Sequence, residues 1–426
     1  MTSTMIVTMC VLFALSIPVA VSIGLAGLVG IVSFTNLPLL VLPQQLVVSI
    51  DRFPLAAVPF FILAGNLMEA GGISERLVNF AKSLVGGVQG GLACSCVLTC
   101  MIFASVSGSS VATTFAIGAI LIPAMIRHGY PTPFAAALQA TSAELGVIIP
   151  PSIPMILFGV AAEVSVGELF VAGIFPGLLI GFSLMGFVWV YCRYRGYGKD
   201  DSRERLGVPE ATRQAFWALL MPVIILGGIY GGVFTPTEAS AVAVVYAFFV
   251  GTVIYRKIGW AELIAVFHRS VVAAATIMLL IAAAGMFTFL ISRAGIPALV
   301  GAWLVANFDG PLIFLLAVNV FLFLVGMFIE TSAAILVLAP IFVPVAIKLG
   351  IDPVHFGMVM IVNLALGMIT PPFGVNLFAA CTVAKIPVEH IIARLLPFVL
   401  VVLSCLMVIS YVPWLSLFLR DLIYAP

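Results

Sequence analysis

The chain has 426 residues, of which 63% are hydrophobic and 8% charged, and 18 Lys and Arg against 17 Asp and Glu leave a net charge of +1. An ordinary soluble domain is roughly 25% charged, and a chain with a mean hydropathy of +1.28 has too little interior to hide its apolar surface from water. Soluble enzymes, nucleic-acid binders and disordered scaffolds are excluded, which leaves an integral membrane protein with most of its length in the lipid bilayer.

Met1 to Phe34 is apolar and carries no Lys or Arg. It lacks the basic start of a signal peptide and is expected to belong to the mature fold. The stretch 42–53 carries Gln44, Gln45, Asp51 and Arg52, and Gly72 to Val85 carries Glu75, Arg76 and Lys82. Both are too polar to span, and are expected to lie in the interface or brace a bundle. Long apolar runs exclude a β-barrel. The 38 Gly and 26 Pro often fall inside those runs. Helices broken at membrane depth survive only where protein or trapped water satisfies the freed backbone, which favours a transporter, channel or intramembrane site over a plain anchor.

Next come two apolar segments, 91–105 and 111–126, joined by Ser105-Val106-Ser107-Gly108-Ser109-Ser110. A segment of ~15 residues rises only ~22 Å, short of a full hydrocarbon core, so the pair is expected to form a re-entrant hairpin with its polar tip near the midplane. Cys94, Cys96 and Cys100 lie in the first arm. They suit either a metal site or small apolar positions in a helix, and the lack of a nearby His or carboxylate favours the latter. Gly146-Val147-Ile148-Ile149-Pro150-Pro151-Ser152 follows. Two consecutive prolines remove two donors and break a helix. Glu144 precedes this break as a candidate proton site, while Glu163 and Glu168 fall at an outer helix end. A long helix then runs to Arg193.

Arg193 to Arg213 holds Arg193, Arg195, Lys199, Arg203, Arg205 and Arg213, a third of the 18 basic residues, and is cytoplasmic by the positive-inside rule. Two apolar segments, 214–232 and 236–256, lead back to Arg256, Lys257 and Arg269 on the same side. Thr235-Pro236-Thr237-Glu238 between them has the residues of a capping box. Trp260 to His268, with Glu262 and His268, and the segment 296–307 are expected to be further arms. Arg293 and Asp309 then fall outside, Lys385 and Arg394 inside, and the C-terminus outside. His128, His268, His355 and His390 fall near interfaces. Arg52 and Arg293 lie outside, where each either contacts a partner or anchors the interface.

The second half repeats the first. Pro123, Gly129, Gly146, Pro150-Pro151, Glu168 and Pro176 match Pro344, Gly350, Gly367, Pro371-Pro372, Glu389 and Pro397 at a constant, ungapped offset of 221. Segments 311–328 and 333–347 form the second hairpin around Ile329-Glu330-Thr331-Ser332. Gly367-Met368-Ile369-Thr370-Pro371-Pro372-Phe373-Gly374-Val375-Asn376 forms the second break, and a final helix ends near Arg420. The charge map puts Arg127 inside and Lys348 outside, so the repeat is inverted, as in secondary transporters. The expected fold is an all-α polytopic membrane protein with two re-entrant hairpins and two broken helices. Its parts are scaffold and arm over 1–90, a transport half over 91–192, the loop 193–213, second scaffold and arms over 214–309, and the second transport half over 310–426.

A hairpin tip facing a break gathers carbonyls and hydroxyls without a dense carboxylate cluster, a donor set that suits Na⁺ better than Ca²⁺ or a transition metal. Helix N-termini at Ser109-Ser110 and Glu330-Thr331 point positive ends inward, where an anion binds. An intramembrane serine enzyme using Ser107-Gly108-Ser109-Ser110 is the alternative. It needs a base, and Glu144 is the only candidate in the first half.

Ser107-Gly108-Ser109-Ser110-Val111-Ala112-Thr113, Ile122-Pro123, Gly129-Tyr130 and Ile149-Pro150-Pro151-Ser152-Ile153-Pro154-Met155 resemble the large membrane subunit of tripartite ATP-independent periplasmic (TRAP) transporters. Thr235-Pro236-Thr237-Glu238-Ala239 and Thr370-Pro371-Pro372-Phe373-Gly374 are similar to that family's later signatures, so the resemblance covers nearly the whole chain. It implies an elevator-type, Na⁺-coupled importer in the bacterial inner membrane. The substrate is an organic acid, of the C4-dicarboxylate or sialic acid class, brought by a periplasmic substrate-binding protein. A separate small four-helix membrane subunit is a partner. Two Na⁺ sites are implied, one at Ser105, Ser107, Gly146, Ile149 and Ser152, the other at Gly326, Gly367, Thr370 and Phe373. Substrate would lie between the tips near Ser109, Ser110, Ser152, Glu330, Thr331 and Asn376. Glu330 departs from what an anionic substrate needs, and would bind a hydroxyl, an amine or Na⁺, or point away.

Overall fold

A computed structural model describes residues 2–199, 206–307 and 310–424. Arg203, Arg205 and Asp309, three of the charges in the sequence map, lie outside the described residues. The described chain is all-helical. Its first part is α1 (Thr2–Ala14), α2 (Val19–Phe34), α3 (Val41–Ile50), α4 (Ala57–Ala70) and α5 (Ile73–Val85). Then come α6 (Gly91–Ser107), α7 (Ser110–Arg127), α8 (Thr132–Ala143), α9 (Leu145–Ile148), α10 (Ile153–Ala162), α11 (Val166–Ala172) and α12 (Ile174–Arg195). Beyond the basic loop lie α13 (Val208–Tyr230), α14 (Pro236–Phe249), α15 (Trp260–Arg293) and α16 (Ile296–Asn307). The last part is α17 (Pro311–Gly326), α18 (Thr331–Lys348), α19 (Pro353–Met368), α20 (Val375–Ala384), α21 (Glu389–Tyr411) and α22 (Trp414–Tyr424). Among the described residues, eight helices are long and apolar enough to cross a membrane. A ninth is added if the pair Thr132–Ile148 and Ile153–Ala162, bent by 44°, counts as one span.

Local chemistry sets the helix ends. The capping box forms at α14: Glu238 N donates to Thr235 Oγ1 at 3.3 Å, and Thr235 N donates to Glu238 Oε2 at 2.8 Å, with Pro236 in the first helical position. Asp352 caps α19 by accepting from Val354 N at 2.8 Å and His355 N at 3.2 Å. Arg193 and Arg195 occupy the last turn of α12, which stops at Gly196 with φ 73°, a conformation that favours glycine.

The repeat appears in the element bounds. α7 and α18 begin and end 221 positions apart, and so do the starts of α8 and α19. Both double-proline steps, Pro150-Pro151 and Pro371-Pro372, are cis. The helix after the break departs from that offset by one, although Glu168 and Glu389 beyond it match at 221 again. Ser152 caps α10, but the residue before α20 is Gly374, 222 positions on. The second break, 369–374, is two residues longer than the first, 149–152.

Three other expectations are corrected. Trp260 to His268 is not a separate arm but the start of the 34-residue α15, because no Gly or Pro interrupts the run before Gly285. The last long helix ends at Tyr411 rather than near Arg420: Pro413 intervenes, and Arg420 sits on the separate α22. The second arm of each hairpin is longer than read, since α7 and α18 each have 18 residues, while α17 is shorter than 311–328. At about 27 Å, α7 and α18 are long and apolar enough to cross a membrane, so shortness does not by itself argue re-entry.

α4 packs on α14 and α15, α2 and α3 on α15, and α13 on α5. The other group is interlocked across the two halves. α10 packs on α18, while α20 packs on α7 and α8. Each half thus lends its post-break helix to the other half's hairpin. α8 and α19 are buried along nearly their full lengths at the centre, where their all-round apolar character is expected.

Candidate functional site

The first tip is shorter than Ser105–Ser110. α6 continues through Ser107, and only Gly108 and Ser109 lie between the helices. Gly108, at φ 63°, ends α6, and a Cβ there would stand 2.9 Å from the Pro151 carbonyl oxygen. Ser109 caps α7 by accepting from Ala112 N at 3.4 Å. Ser105 is a helical residue whose hydroxyl donates to Ile102 O at 2.6 Å, and Ser110 is buried in the first turn of α7. At the centre, Ser107 Oγ lies 3.0 Å from Thr113 Oγ1, and Thr113 donates to the Ser109 carbonyl at 2.8 Å. Gly146 on α9 presses on this group, since a Cβ there would lie 2.8 Å from both Ser109 O and Thr113 Oγ1. Ser107, Ser109, Thr113 and Gly146 are therefore one cluster. Thr113 was missed by the sequence reading, although its position four residues after Ser109 is the spacing at which a helical hydroxyl reaches back to a carbonyl.

The first break is buried over Pro150, Pro151 and Ser152. Ser152 donates to the Val147 carbonyl at 2.6 Å and accepts from Met155 N at 3.4 Å. It thus binds one carbonyl freed by the prolines while capping the helix beyond them. Ile149 ends α9, and its side chain packs on Gly177. The tip and the break are tied by a backbone bond, with Ile153 N donating to Gly108 O at 3.3 Å.

The second half repeats this bond: Phe373 N donates to Met327 O at 3.2 Å. Gly326 and Gly367 are in backbone contact, and a Cβ on Gly326 would stand 3.0 Å from Leu364 O and 3.1 Å from Gly367 Cα. Thr370 donates to Leu366 O at 2.9 Å and Thr331 Oγ1 lies 2.9 Å from Met368 Sδ. This break is more open than the first. Pro372 and Phe373 are exposed, and the Phe373 ring meets Phe328 at 5.9 Å. Glu330 acts as the cap of α18, with its carboxylate accepting from Ser332 N at 2.9 Å, Ser332 Oγ at 2.8 Å and Ala333 N at 3.2 Å. It fills the donor site that an incoming anion would use, and the first tip carries no such acid.

One contact joins the halves directly. Asn376, in the first turn of α20, donates through Nδ2 to Glu144 Oε1 at the α8–α9 junction. The six residues assigned to substrate are thus spread over the two tips, the first break and this central contact.

Other residues have mainly structural surroundings. Cys96 Sγ donates to Gln139 Oε1 at 3.1 Å within α6 and α8. His355 is buried rather than interfacial, and its Nε2 lies 3.2 Å from Ser410 O. Glu168 lies 3.9 Å from Arg420, which also bonds Asp352 at 2.7 Å. Sequence reading did not foresee two adjoining cavities along the seam between the packing groups. One of about 610 Å³ is lined by Arg52, Glu163 and Thr235 among others, and one of about 260 Å³ by Arg52, Glu163 and Thr288 among others. Arg52 and Glu163 border both.

An all-helical chain with two glycine-lined hairpin tips, each bonded to a double-proline break, has the architecture of a polytopic membrane transporter. The crystal structure of the Alcanivorax borkumensis YdaH transporter shares the fold, with a TM-score of 0.66, 17% identity and 88% of each chain covered. The family follows from sequence. Residues 6–415 match the tripartite ATP-independent periplasmic transporter, DctM component, and the chain belongs to that family.

It is 42% identical over 403 residues to the C4-dicarboxylate TRAP transporter large permease protein DctM of Pseudomonas aeruginosa, covering 94% of each chain. It is 39% identical over 379 residues to the sialic acid TRAP transporter large permease protein SiaM of Vibrio cholerae, covering 89% of each. It is also 41% identical over 403 residues to the isethionate TRAP transporter permease protein DctMQ of Oleidesulfovibrio alaskensis, covering 94% of this chain and 64% of that protein. The chain is therefore a multi-pass inner-membrane transporter subunit and not an enzyme. The serine-enzyme alternative falls with that. In the structure, Ser107 Oγ pairs with Thr113 and Ser109, not with a base.

Proposed function

We propose that the chain is the large membrane subunit of a Na⁺-coupled importer of a small organic acid. The acid is handed over by a periplasmic substrate-binding protein, and a small four-helix membrane subunit completes the assembly. The observation that carries this reading is the pair of tip–break junctions, Gly108 O with Ile153 N and Met327 O with Phe373 N, at matching places in the two halves. Each gathers backbone carbonyls and hydroxyls beside a helix N-terminus at membrane depth, the arrangement broken-helix transporters use for coupling ions and anions.

Na⁺ at the first junction draws on Ser107, Gly146, Ile149 and Ser152, with Ser105 two residues before Ser107 and Thr113 added. At the second it draws on Gly326, Gly367, Thr370 and Phe373. The acid lies between the tips near Ser109, Ser110, Ser152, Thr331 and Asn376, with its carboxylate toward the α7 N-terminus because Glu330 already caps α18. The relatives named above handle a C4-dicarboxylate, sialic acid and isethionate, and a C4-dicarboxylate or sialic acid is the proposed class here.

Residues 91–192 and 310–426 move as one block against a scaffold of 1–90 and 214–309, with 193–213 cytoplasmic, in an elevator-type inverted repeat. Na⁺ binding orders the tips, so each ligand raises the affinity for the other. The test is uptake into proteoliposomes holding both membrane subunits, with the receptor outside and Na⁺ exchanged for K⁺. Uptake of unaltered acid that requires Na⁺ supports the proposal, whereas equal uptake in K⁺ contradicts the coupling.

A further inference from the structure

The end of α5, the start of α6 and the second half of α12 enclose a groove of about 500 Å³. Its walls are apolar, with Leu84, Val88, Cys94, Phe182, Gly186 and Trp189 among them. Leu84, Val88, Phe182 and Trp189 are exposed, so the groove opens on the outer surface of the bundle. At Gly186 there is room to spare, since a Cβ there would meet no atom within 4 Å. The walls are tied together beyond the groove. Gln89 Nε2 donates to Tyr197 O at 3.2 Å and Gly90 N to Gly198 O at 3.4 Å, which joins the turn before α6 to the loop after α12.

Phe182, Gly186, Trp189 and Arg193 follow one another at helical spacing along one stripe of α12. Arg193 is thus the next side chain past the groove, and its guanidinium lies over the Trp189 ring, 5.2 Å from the centroid. Among the described residues Arg193 makes no ion pair. Arg195 and Lys199 are exposed at the same end, and neither 84–98 nor 182–199 contains an Asp or Glu. By the positive-inside rule this end of α12 is cytoplasmic, and a Trp one turn before the first charge stands at headgroup depth.

An apolar groove that opens on the bilayer fills with hydrocarbon, because an empty one forfeits the contacts of its walls. Hydrocarbon alone does not choose among lipids. Unpaired cations at the end of the groove do, since Lys and Arg near the cytoplasmic surface attract anionic lipid. We propose that this groove is a binding site for an anionic phospholipid of the cytoplasmic leaflet, with an acyl chain along Phe182, Gly186 and Trp189 and the phosphate on Arg193. The site does not rest on the importer reading, and none of its lining residues belongs to a tip or a break.

The test is the fluorescence of Trp189 in the purified protein, assembled with its small subunit. The vesicles are phosphatidylcholine with an equal minor share of either phosphatidylglycerol or phosphatidylcholine brominated on the acyl chains. Subtracting the signal of Trp189→Phe isolates Trp189 from the other tryptophans. Brominated phosphatidylglycerol is expected to quench Trp189 about fivefold more effectively than brominated phosphatidylcholine, the preference that one basic side chain supplies. Arg193→Gln is expected to bring that ratio to one. Gly186→Leu, which fills the groove, is expected to lower quenching by both lipids. If the Leu variant does not assemble, the exposed Arg193→Gln substitution decides alone.

Equal quenching by the two lipids in wild type overturns the proposal and leaves ordinary bilayer contact only. A preference that survives Arg193→Gln overturns it as well. So does a Trp189 quenched by neither lipid, which would assign the groove to a covering protein segment instead.

Discussion

Ser107 sits where a helix end, a tip and a second helix meet, and its hydroxyl bonds Thr113 Oγ1, one of two oxygens against which Gly146 presses. The absence of a side chain at Gly146 is what permits that approach. Gly146→Ala would push a methyl against Ser109 O and Thr113 Oγ1, an overpacking worth about 1–3 kcal/mol. The expected result is an assembled protein with several-fold lower Na⁺-driven uptake, checked by uptake rate against the amount of intact complex. Thr113→Val keeps the shape, removes the oxygen and is expected to raise the half-saturating Na⁺ concentration.

At this scale the sequence told much. Gly146 and Ser152 stand out beside a double proline, and Ser107 in a polar tip between apolar segments, because such residues have few other uses in a bilayer. Thr113 did not, because a Thr inside an apolar helix looks the same whether it bonds its own turn or a neighbouring tip. Glu330 was legible as an oddity, but its role as a cap depends on a rotamer, which no spacing reveals.

Single elements begin and end where caps and prolines place them. Asp352 accepts two backbone N–H groups at the start of α19 and holds Arg420 of α22 at 2.7 Å. Asp352→Ala is expected to cost about 1 kcal/mol through the lost cap, read as a lowered midpoint of thermal unfolding in detergent. Uptake per folded molecule is expected to stay near wild type, because neither residue lies at a tip or break.

The capping box at Thr235 was readable because its four residues are contiguous. The different lengths of the breaks were not: Gly146, the Pro-Pro pair and Glu168 all match their partners at 221, and the difference lies only in where the helices end and restart. Three of the four hairpin arms were underestimated for a different reason. Polar residues at a tip look like loop, yet Ser105, Ser107 and Ser110 are helical, with the Ser105 hydroxyl turned back onto Ile102 O and that of Ser107 held in the tip cluster.

For the whole molecule, composition alone placed the chain in a bilayer, and Pro and Gly positions revealed the repeat. What composition and spacing do not encode is the exchange of α10 and α20 between halves, since contacts far apart in sequence leave no local periodicity. The cavities beside Arg52 and Glu163 escaped for the same reason, because residues from α3, α10, α15 and α18 meet there only after folding.

The proposed inversion makes a sided prediction. Cysteines placed at Arg127 and Lys348, which are exposed and 221 positions apart, should label with a membrane-impermeant thiol reagent from opposite faces of sealed vesicles, with Arg127→Cys reacting from the cytoplasmic side. Labelling of both from one face would rule out the inversion.

The central claim is that each tip–break junction holds a coupling Na⁺. Its most direct test is the Na⁺ dependence of organic-acid uptake by wild type, Ser107→Ala and Thr370→Ala, each reconstituted with the small subunit and receptor. Loss of one oxygen ligand is expected to shift the half-saturating Na⁺ concentration upward by ~10-fold, or about 1.4 kcal/mol, with lower uptake at limiting Na⁺. Two correctly assembled variants with the wild-type Na⁺ curve would contradict the account.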